Sequence, residues 1–179
     1  MQWLNEPQNW SHENDVLKVA VDGGTDFWRI THYDFIRDNG HFFYREESGD
    51  FVASVRIRGA YRELYDQGGL MIRIDERNWI KTGIEFVDGR QNLSAVVTRE
   101  FSDWSVIARD DNPPEVRFRL KRQKDFVEIG YSFESSDFAM LRLAYFPPAV
   151  PAQIGMMCAA PDGSGFSIEF DHFTIKRLD

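Results

Sequence analysis

The side chains best suited to hold a ligand lie in residues 65–86, which read YDQGGLMIRIDERNWIKTGIEF. Arg73, Trp79, Lys81 and Glu85 alternate there with apolar residues. A Trp ring can stack on the apolar C–H face of a sugar, and charged groups can hydrogen-bond its hydroxyls. Residues of these types at this spacing favour a site for a carbohydrate or a small metabolite.

A second group of candidate residues lies in the segment 23–46, which is dense in aromatic and ionisable side chains and largely lacks a strand pattern. Trp28 and His32 belong to it. Long loops of this composition commonly have a function beyond connecting two elements. The segment is expected either to line the mouth of the binding face or to plug it with its own aromatic residues, and the sequence leaves both open.

Strands must position both groups, because apolar and polar residues alternate with period two along most of the chain. Turn-forming residues separate the strands, as at 75–78 and 135–137. No window has the apolar spacing of an amphipathic helix, although 61–67 could be a helical turn or a strand. We expect one all-β domain over 1–179, a sandwich of two stacked antiparallel sheets. The predicted strands are 16–21, 41–46, 51–59, 69–75, 79–86, 93–99, 104–110, 115–122, 126–133, 138–146, 153–160 and 167–176.

The turn at 75–78 makes its two flanking strands antiparallel neighbours. Their apolar residues then form one wall of the core. Arg73, Trp79, Lys81 and Glu85 are expected side by side on the outer face, open to a ligand. A plainer interpretation is a surface hairpin with cross-strand ion pairs, in which Trp79 covers neighbouring strands.

Composition excludes several classes of partner. The 179 residues have a formal net charge of −8 without a basic block, so nucleic acid and anionic membranes are not expected partners. Cys158 is the only cysteine, which rules out an intrachain disulfide, and its apolar neighbours predict a buried structural thiol. With no signal peptide pattern and no apolar run of about 20 residues, a cytoplasmic protein is expected.

No cofactor or metal is predicted as part of the site. The acidic loops 21–26 and 109–112 could hold calcium, although Asp and Gly also simply form turns. His32 and His41 have no obvious third ligand for zinc.

Three stretches, at 25–44, 67–86 and 93–105, resemble the regulation-of-enolase-like small proteins of the concanavalin A-like lectin/glucanase superfamily. The Trp-Ile-Lys-x-Gly run at 79–83 and a Ser-Asp-Trp-Ser turn at 102–105 are the more specific parts. The resemblance implies a jelly-roll sandwich of two curved antiparallel sheets, with ligands on a concave face. On that face it places Arg73, Trp79, Lys81 and Glu85, with Trp28, His32 and Trp104 as additions.

The leading hypothesis is a non-catalytic, lectin-like binding domain. One alternative is an enzyme acting on a glycoside with Glu85 as acid or base; another is a protein-interaction module that regulates a metabolic enzyme. Glucanases of the superfamily have a Glu-x-Asp-x-x-Glu pattern, and here Glu169 and Asp171 match only part of it, with Thr174 in place of the second Glu. That pair is expected on a solvated strand face.

Overall fold

The computed structural model describes residues 1–133 and 137–178. These residues form two seven-stranded antiparallel sheets and one two-stranded ribbon. The two sheets stack face to face around an apolar core, as the alternating pattern requires. The prediction of an all-β, jelly-roll sandwich of two antiparallel sheets is therefore confirmed. In the described part of the chain, no helix is long and apolar enough to cross a membrane.

The first sheet presents its outer face to the candidate site. In spatial order it contains β1 (Gln2–Leu4), β6 (His41–Glu47), β15 (Ala152–Ala159), β8 (Gln67–Asp75), β9 (Asn78–Val87), β10 (Arg90–Arg99) and β11 (Phe101–Ala108). Strands β8 and β9 form its central hairpin, with Gln67 opposite Glu85 at one end and Arg73 opposite Trp79 at the other.

The second sheet closes the other side of the core. In spatial order it contains β14 (Ala139–Tyr145), β13 (Phe126–Ser132), β12 (Val116–Gln123), β7 (Phe51–Gly59), β16 (Ser167–Arg177), β3 (Val16–Ala20) and β2 (Asn9–Glu13). The ribbon pairs β4 (Phe27–Arg29) with β5 (Ile36–Asp38) and belongs to neither sheet.

The core lies between the sheets and is built from the apolar positions of the alternating strands. Leu70 and Ile72 of β8 pack there with Ile80 and Ile84 of β9, all of them buried. Cys158 of β15 is also buried, as predicted, and burial raises the pKa of its thiol.

All twelve predicted strands are present, with ends shifted by a few residues. The four strands that the sequence did not indicate have three to five residues each, too few for period two to stand out. The predicted turn at 102–105 is wrong, because these residues lie in β11. The chain reverses instead at Glu100, whose φ of 62° lies in the left-handed region. Residues 61–66 are irregular, and two residues of the predicted turn at 135–137 lie outside the described residues.

Candidate functional site

The β4–β5 ribbon lies over the outer face of the first sheet and covers most of it. Lys81 Nζ donates a hydrogen bond to the Phe27 carbonyl at 2.7 Å, and Ser102 Oγ accepts one from the Arg29 amide at 2.9 Å. Segment 23–46 therefore plugs the end of the face that carries Arg73 and Trp79 and lines a cavity at the other end, so each alternative left open by the sequence holds for part of the face. A second apolar cluster is enclosed beneath it: Phe27, Trp28, Phe42, Tyr44, Met71, Trp79, Val96 and Met157.

Two residues expected on an open face are enclosed under this cover. Trp79 is only 1% exposed, and its ring packs at 6.3 Å from that of Phe27. Arg73 is buried and makes two hydrogen bonds of 2.7 Å to the Asp38 carboxylate of β5. The expectation that Trp79 offers an exposed ring and Arg73 a free guanidinium is wrong, because the ribbon brings its own aromatic and acidic partners for them.

At the other end of the hairpin the cover stops short and leaves a cavity of about 120 Å³. We call this space the cavity. Three carboxyl groups and two cationic side chains line it together with aromatic rings and an amide. The lining residues are Asp26, Glu85, Asp162, Lys81, Arg37, Trp28, Tyr33, Phe35, Tyr65, Trp104, Gln67 and Pro161.

Glu85 lies on the floor of the cavity and is only 7% exposed. Its Oε2 accepts hydrogen bonds from Ser94 Oγ at 2.8 Å and Trp104 Nε1 at 2.7 Å. Its Oε1 has no hydrogen-bond partner among the described residues, yet it is not sealed from solvent. Burial raises the pKa of Glu85, although Lys81 and the two hydrogen bonds oppose the shift.

Lys81 is held beside this carboxylate with its charge already engaged. Its Nζ donates to the Phe27 carbonyl at 2.7 Å and to Gln67 Oε1 at 2.6 Å, and lies 3.6 Å from Asp26 Oδ1. A buried ammonium needs such partners to remain charged. Lys81 therefore fixes the ribbon and Gln67 in place and helps to shape the floor.

Four aromatic residues form the mouth of the cavity, and we call them the aromatic collar: Trp28, Tyr33, Tyr65 and Trp104. Successive ring centroids lie 5.6, 6.4 and 6.3 Å apart in that order. The Tyr33 and Tyr65 hydroxyls share a hydrogen bond of 2.8 Å, and this bond, followed by burial, raises the pKa of Tyr65. Phe35 stacks on Tyr33 at 5.5 Å and supports the collar from behind.

A wider groove of about 990 Å³ opens on the far side of the collar. It shares Trp28, Tyr33 and Trp104 with the cavity and continues along the edge strands β11 and β14. His32 lines this groove and not the cavity, and it sits in the left-handed backbone region with a φ of 68°.

The structure thus divides the seven predicted residues into three groups. Trp28, Lys81, Glu85 and Trp104 line the cavity; His32 lines the groove; Arg73 and Trp79 line neither. A ligand-binding role for each of them stays a prediction.

Sequence reasoning missed Asp26, Phe35, Tyr65 and Gln67, although they line the same cavity. Gln67 lies in a predicted hairpin, but counting back from the turn at 75–78 places it opposite Phe86; a bulge between Arg73 and Asp75 shifts the register by one residue and brings it opposite Glu85. Asp26, Phe35 and Tyr65 lie outside the regular strands, and no periodic pattern marks such positions.

The partial glucanase pattern lies away from the cavity, on the second sheet. Asp171 of β16 accepts hydrogen bonds of 2.7 Å from Arg56 and 2.9 Å from Arg58. The Arg56 hydrogen bonds hold the pKa of Asp171 at about 2, so this carboxylate stays ionised in a structural ion pair. Glu169 is also paired, with Lys18 at 3.3 Å.

Within residues 1–133 and 137–178, no three His, Cys, Asp or Glu side chains are grouped in a way that could hold a metal ion. In the loop 21–26, Asp22 accepts a hydrogen bond from the Gln8 amide, and Asp26 accepts one from the Phe27 amide. Calcium at this loop or at 109–112 stays a prediction from the sequence.

Comparisons with known proteins place this chain in a family. A family model described as "Protein of unknown function (DUF1349)" matches residues 3–178. Regulation of enolase protein 1 of Saccharomyces cerevisiae is 38% identical over 173 residues, which are 97% of this chain and 87% of that protein. The crystal structure of a functionally unknown protein from Saccharomyces cerevisiae superposes with a TM-score of 0.95 at 36% identity, covering 99% of this chain and 96% of that one.

More distant structures share the fold. A carbohydrate binding module, CBM66 from Bacillus subtilis, has a TM-score of 0.62 at 15% identity and covers 97% of this chain and 94% of its own. The GH43 protein BlXynB from Bacillus licheniformis has a TM-score of 0.73 at 14% identity, but the matched part is only 36% of that chain. At these identities the likeness concerns the sandwich and not its ligands.

Proposed function

This chain belongs to the DUF1349 family of proteins of unknown function, and we propose that it is a lectin-like protein that binds a carbohydrate or small metabolite in the cavity. One observation carries the proposal: the buried Glu85 carboxylate keeps Oε1 free of any partner among the described residues while the cavity gives access to it. An accessible carboxylate oxygen without a protein partner can accept a charge-assisted hydrogen bond from a ligand hydroxyl or amine.

The size and lining of the cavity support a small ligand. One water needs about 10–15 Å³ of such space, so a cavity of about 120 Å³ admits on the order of ten non-hydrogen atoms, near the size of one sugar ring. Aromatic walls with a few convergent polar groups are typical of small-molecule sites. The collar offers ring faces for stacking, and Glu85 offers a charge-assisted acceptor.

The proposal describes binding without catalysis, with no cofactor, by a cytoplasmic protein. Glu85 is fixed by Ser94 and Trp104, an arrangement that suits a rigid hydrogen-bond acceptor. The carbohydrate binding module among the structural neighbours has a similar sandwich, which supports the proposal by analogy of fold alone. The proposed cytoplasmic location is supported by the single, buried thiol of Cys158, since secreted domains of this size commonly use disulfides.

Trp104 provides the readout for a direct test, because its indole donates to Glu85 and is 37% exposed. Tryptophan fluorescence of the purified chain is titrated with mono- and oligosaccharides, sugar phosphates and amino sugars. A saturable change is expected, and Glu85→Gln should weaken the affinity by at least about tenfold, since hydrogen bonds to charged groups contribute about 1.5–3 kcal/mol.

Trp10→Phe is the matched control, because Trp10 is an exposed indole that hydrogen-bonds Glu6 and lines neither the cavity nor the groove. It should bind as the wild type does. A flat response to the whole panel in calorimetry as well as fluorescence would contradict the proposal.

A glycoside-acting enzyme is a second candidate, favoured by the raised pKa of Glu85, which burial causes, and by Asp26 in the same cavity. A general acid with a raised pKa beside a second carboxylate is what glycoside hydrolysis uses. Release of nitrophenol from a panel of nitrophenyl glycosides, lost in Glu85→Gln and in Asp26→Asn, would replace the binding proposal with this one.

A protein-interaction module is the third candidate, favoured by exposed apolar side chains on the edge strands β11 and β14. Phe101 is 59% exposed, and Leu143 and Tyr145 are similarly open. Apolar patches of this kind commonly mark interfaces, and one relative is named for regulation of enolase. Sedimentation of this chain with purified enolase, wild type against Leu143→Glu, tests it; co-sedimentation lost in the variant is the supporting result.

A further inference from the structure

We propose that the group recognised in the cavity is a cationic amine, an ammonium or quaternary ammonium group placed against Glu85 Oε1 inside the aromatic collar. The inference rests on the proposed function, since it specifies which chemistry of a sugar or small metabolite the cavity selects. It follows from the balance of charge, the occupation of Lys81 and the arrangement of the rings.

The residues that line the cavity carry an excess of negative charge, which favours a cationic ligand. The carboxyl groups of Asp26, Glu85 and Asp162 face the cavity with the cationic groups of Lys81 and Arg37, which leaves one formal negative charge in excess. Arg37 is engaged at the rim, over the Phe35 ring at 4.7 Å and with the Pro161 carbonyl at 3.5 Å. A buried site with an excess carboxylate gains most from a ligand that supplies the missing cation.

Lys81 does not supply that cation to Oε1. Its Nζ donates to the Phe27 carbonyl and to Gln67 Oε1 and lies 3.6 Å from Asp26. These contacts pair the ammonium with Asp26, so the carboxylate left over on the floor is Glu85. Arg73, the other cation of this sheet face, is already bound bidentately to Asp38. Of the cations that line the cavity, an anionic ligand such as a sugar phosphate would find only Arg37 at the rim, and it would meet the Glu85 carboxylate on the floor, which disfavours it.

The aromatic collar also favours a cationic ligand. Trp28, Tyr33, Tyr65 and Trp104 follow one another with centroid separations of 5.6 to 6.4 Å. Aromatic rings grouped around a site attract cations through their negative faces, and cages of this composition bind quaternary ammonium groups. A neutral sugar would gain stacking from the same rings, but the carboxylate behind them adds a preference for charge.

A cationic ligand also predicts a defined pH dependence. Burial raises the pKa of Glu85, so an ammonium that binds its ionised form must displace a proton as the solution becomes more acidic. The other titratable and charged groups around this carboxylate are Lys81, Asp26, Tyr65, Asp162 and Arg37. The affinity for an amine should decrease as the pH falls through the pKa of Glu85, whereas a neutral ligand should lose less.

The test uses two matched pairs of ligands on the full chain, by calorimetry. Choline is compared with 3,3-dimethylbutan-1-ol, its uncharged analogue of the same shape, and glucosamine with glucose. Each amine should bind at least about tenfold more tightly than its neutral partner. Glu85→Gln, which keeps the size of the side chain, should abolish that preference, and the wild-type comparison stands by itself if the variant does not fold.

Each outcome has a defined meaning. Glucose binding as tightly as glucosamine, with no preference for choline, would overturn the amine and leave the carbohydrate proposal intact. Choline binding without either sugar would support the amine and replace carbohydrate with a small amine metabolite. No binding of any of the four would overturn the amine and count equally against the cavity as a ligand site.

Discussion

The two ends of the β8–β9 hairpin present side chains on the same face of the same sheet, yet one end is covered and the other borders a cavity. At one end, Arg73 and Trp79 lie opposite each other under the ribbon, with the guanidinium paired and the indole enclosed. At the other end, Gln67 and Glu85 also lie opposite each other, but the carboxylate borders an accessible cavity. The difference lies in the cover and not in the strands.

The ribbon makes this difference by where its own side chains fall. Phe27 of β4 packs on Trp79, and Asp38 of β5 pairs with Arg73, so this end is both filled and neutralised. In the turn of the ribbon, Tyr33 hydrogen-bonds Tyr65, and the two rings line the cavity together with Glu85. A polar strand face becomes core or site according to the loop that covers it.

The largest effect is expected from Trp79→Ala at the covered end. Truncating a fully buried Trp leaves a cavity, and such changes cost about 3–5 kcal/mol of unfolding free energy. Chemical denaturation measures it. Trp104→Ala at the other end is the matched variant; because Trp104 is partly exposed, it should cost markedly less. Equal losses at both ends would contradict the contrast drawn between them.

The next effect is expected at the Arg73–Asp38 pair. Asp38→Ala leaves the buried guanidinium of Arg73 without its carboxylate partner, which should cost about 2–3 kcal/mol of unfolding free energy. The loss is smaller than for a fully buried ion pair because Asp38 is partly exposed. Thermal and urea unfolding measure the loss. Arg177→Ala, which removes an exposed partner of Glu47, is the control and should cost under about 1 kcal/mol.

The sequence predicts the strands of the β8–β9 hairpin but not the segment that covers one end of it. Period two identified β8 and β9 and their two faces, so it placed Arg73, Trp79, Lys81 and Glu85 correctly on one face, although not the bulge between Arg73 and Asp75. It did not reveal what covers that face, because strands β4 and β5 have three residues each and pair only with one another. Burial of Trp79 is a tertiary effect that the local pattern of its own strand does not contain.

The site shows the same limit. Glu85 was identified by residue type and spacing and Trp104 through the family resemblance, and they are hydrogen-bonded to each other at 2.7 Å. Tyr65 and Asp26 were not, since they reach the cavity from irregular segments whose position depends on the whole fold. Chemistry on strands is predictable from alternation, whereas chemistry on loops needs the packed structure.

A smaller effect is expected from Glu85→Gln, which should change the unfolding free energy at neutral pH by no more than about 1 kcal/mol. Because burial raises the folded-state pKa of Glu85, protonation favours the fold. The stability that this gives is present below the ordinary pKa of 4.5 and is lost as the pH rises through the folded-state pKa.

The variant carries no such proton, so its stability relative to the wild type should increase as the pH is raised from 4 toward 8. Urea midpoints at several pH values measure the trend. Asp171→Asn should show the reverse sign, because the pKa of Asp171 is lowered to about 2 by its hydrogen bonds from Arg56: its stabilisation is present above the ordinary value of 3.8 and is lost in acid. Parallel curves for the two variants would contradict these opposite signs.

The smallest effect is expected from Trp104→Phe, which keeps an aromatic ring in the collar but removes the Nε1–H that donates to Glu85 at 2.7 Å. Because Trp104 is partly exposed and water can replace the lost donor, the change should cost only about 0.5 kcal/mol of unfolding free energy and raise the pKa of Glu85 further, since one group that favours its ionised form is gone. Carbon-detected NMR titration of the Glu85 side chain measures that pKa.

Trp3→Phe is the matched control, because the Trp3 Nε1 is buried and has no hydrogen-bond partner among the described residues; this change should leave the pKa of Glu85 unaffected and cost less unfolding free energy. An unchanged pKa of Glu85 in Trp104→Phe would contradict this prediction. It would mean that Ser94 and Lys81 alone favour the ionised carboxylate, and that Trp104 contributes only its ring to the cavity.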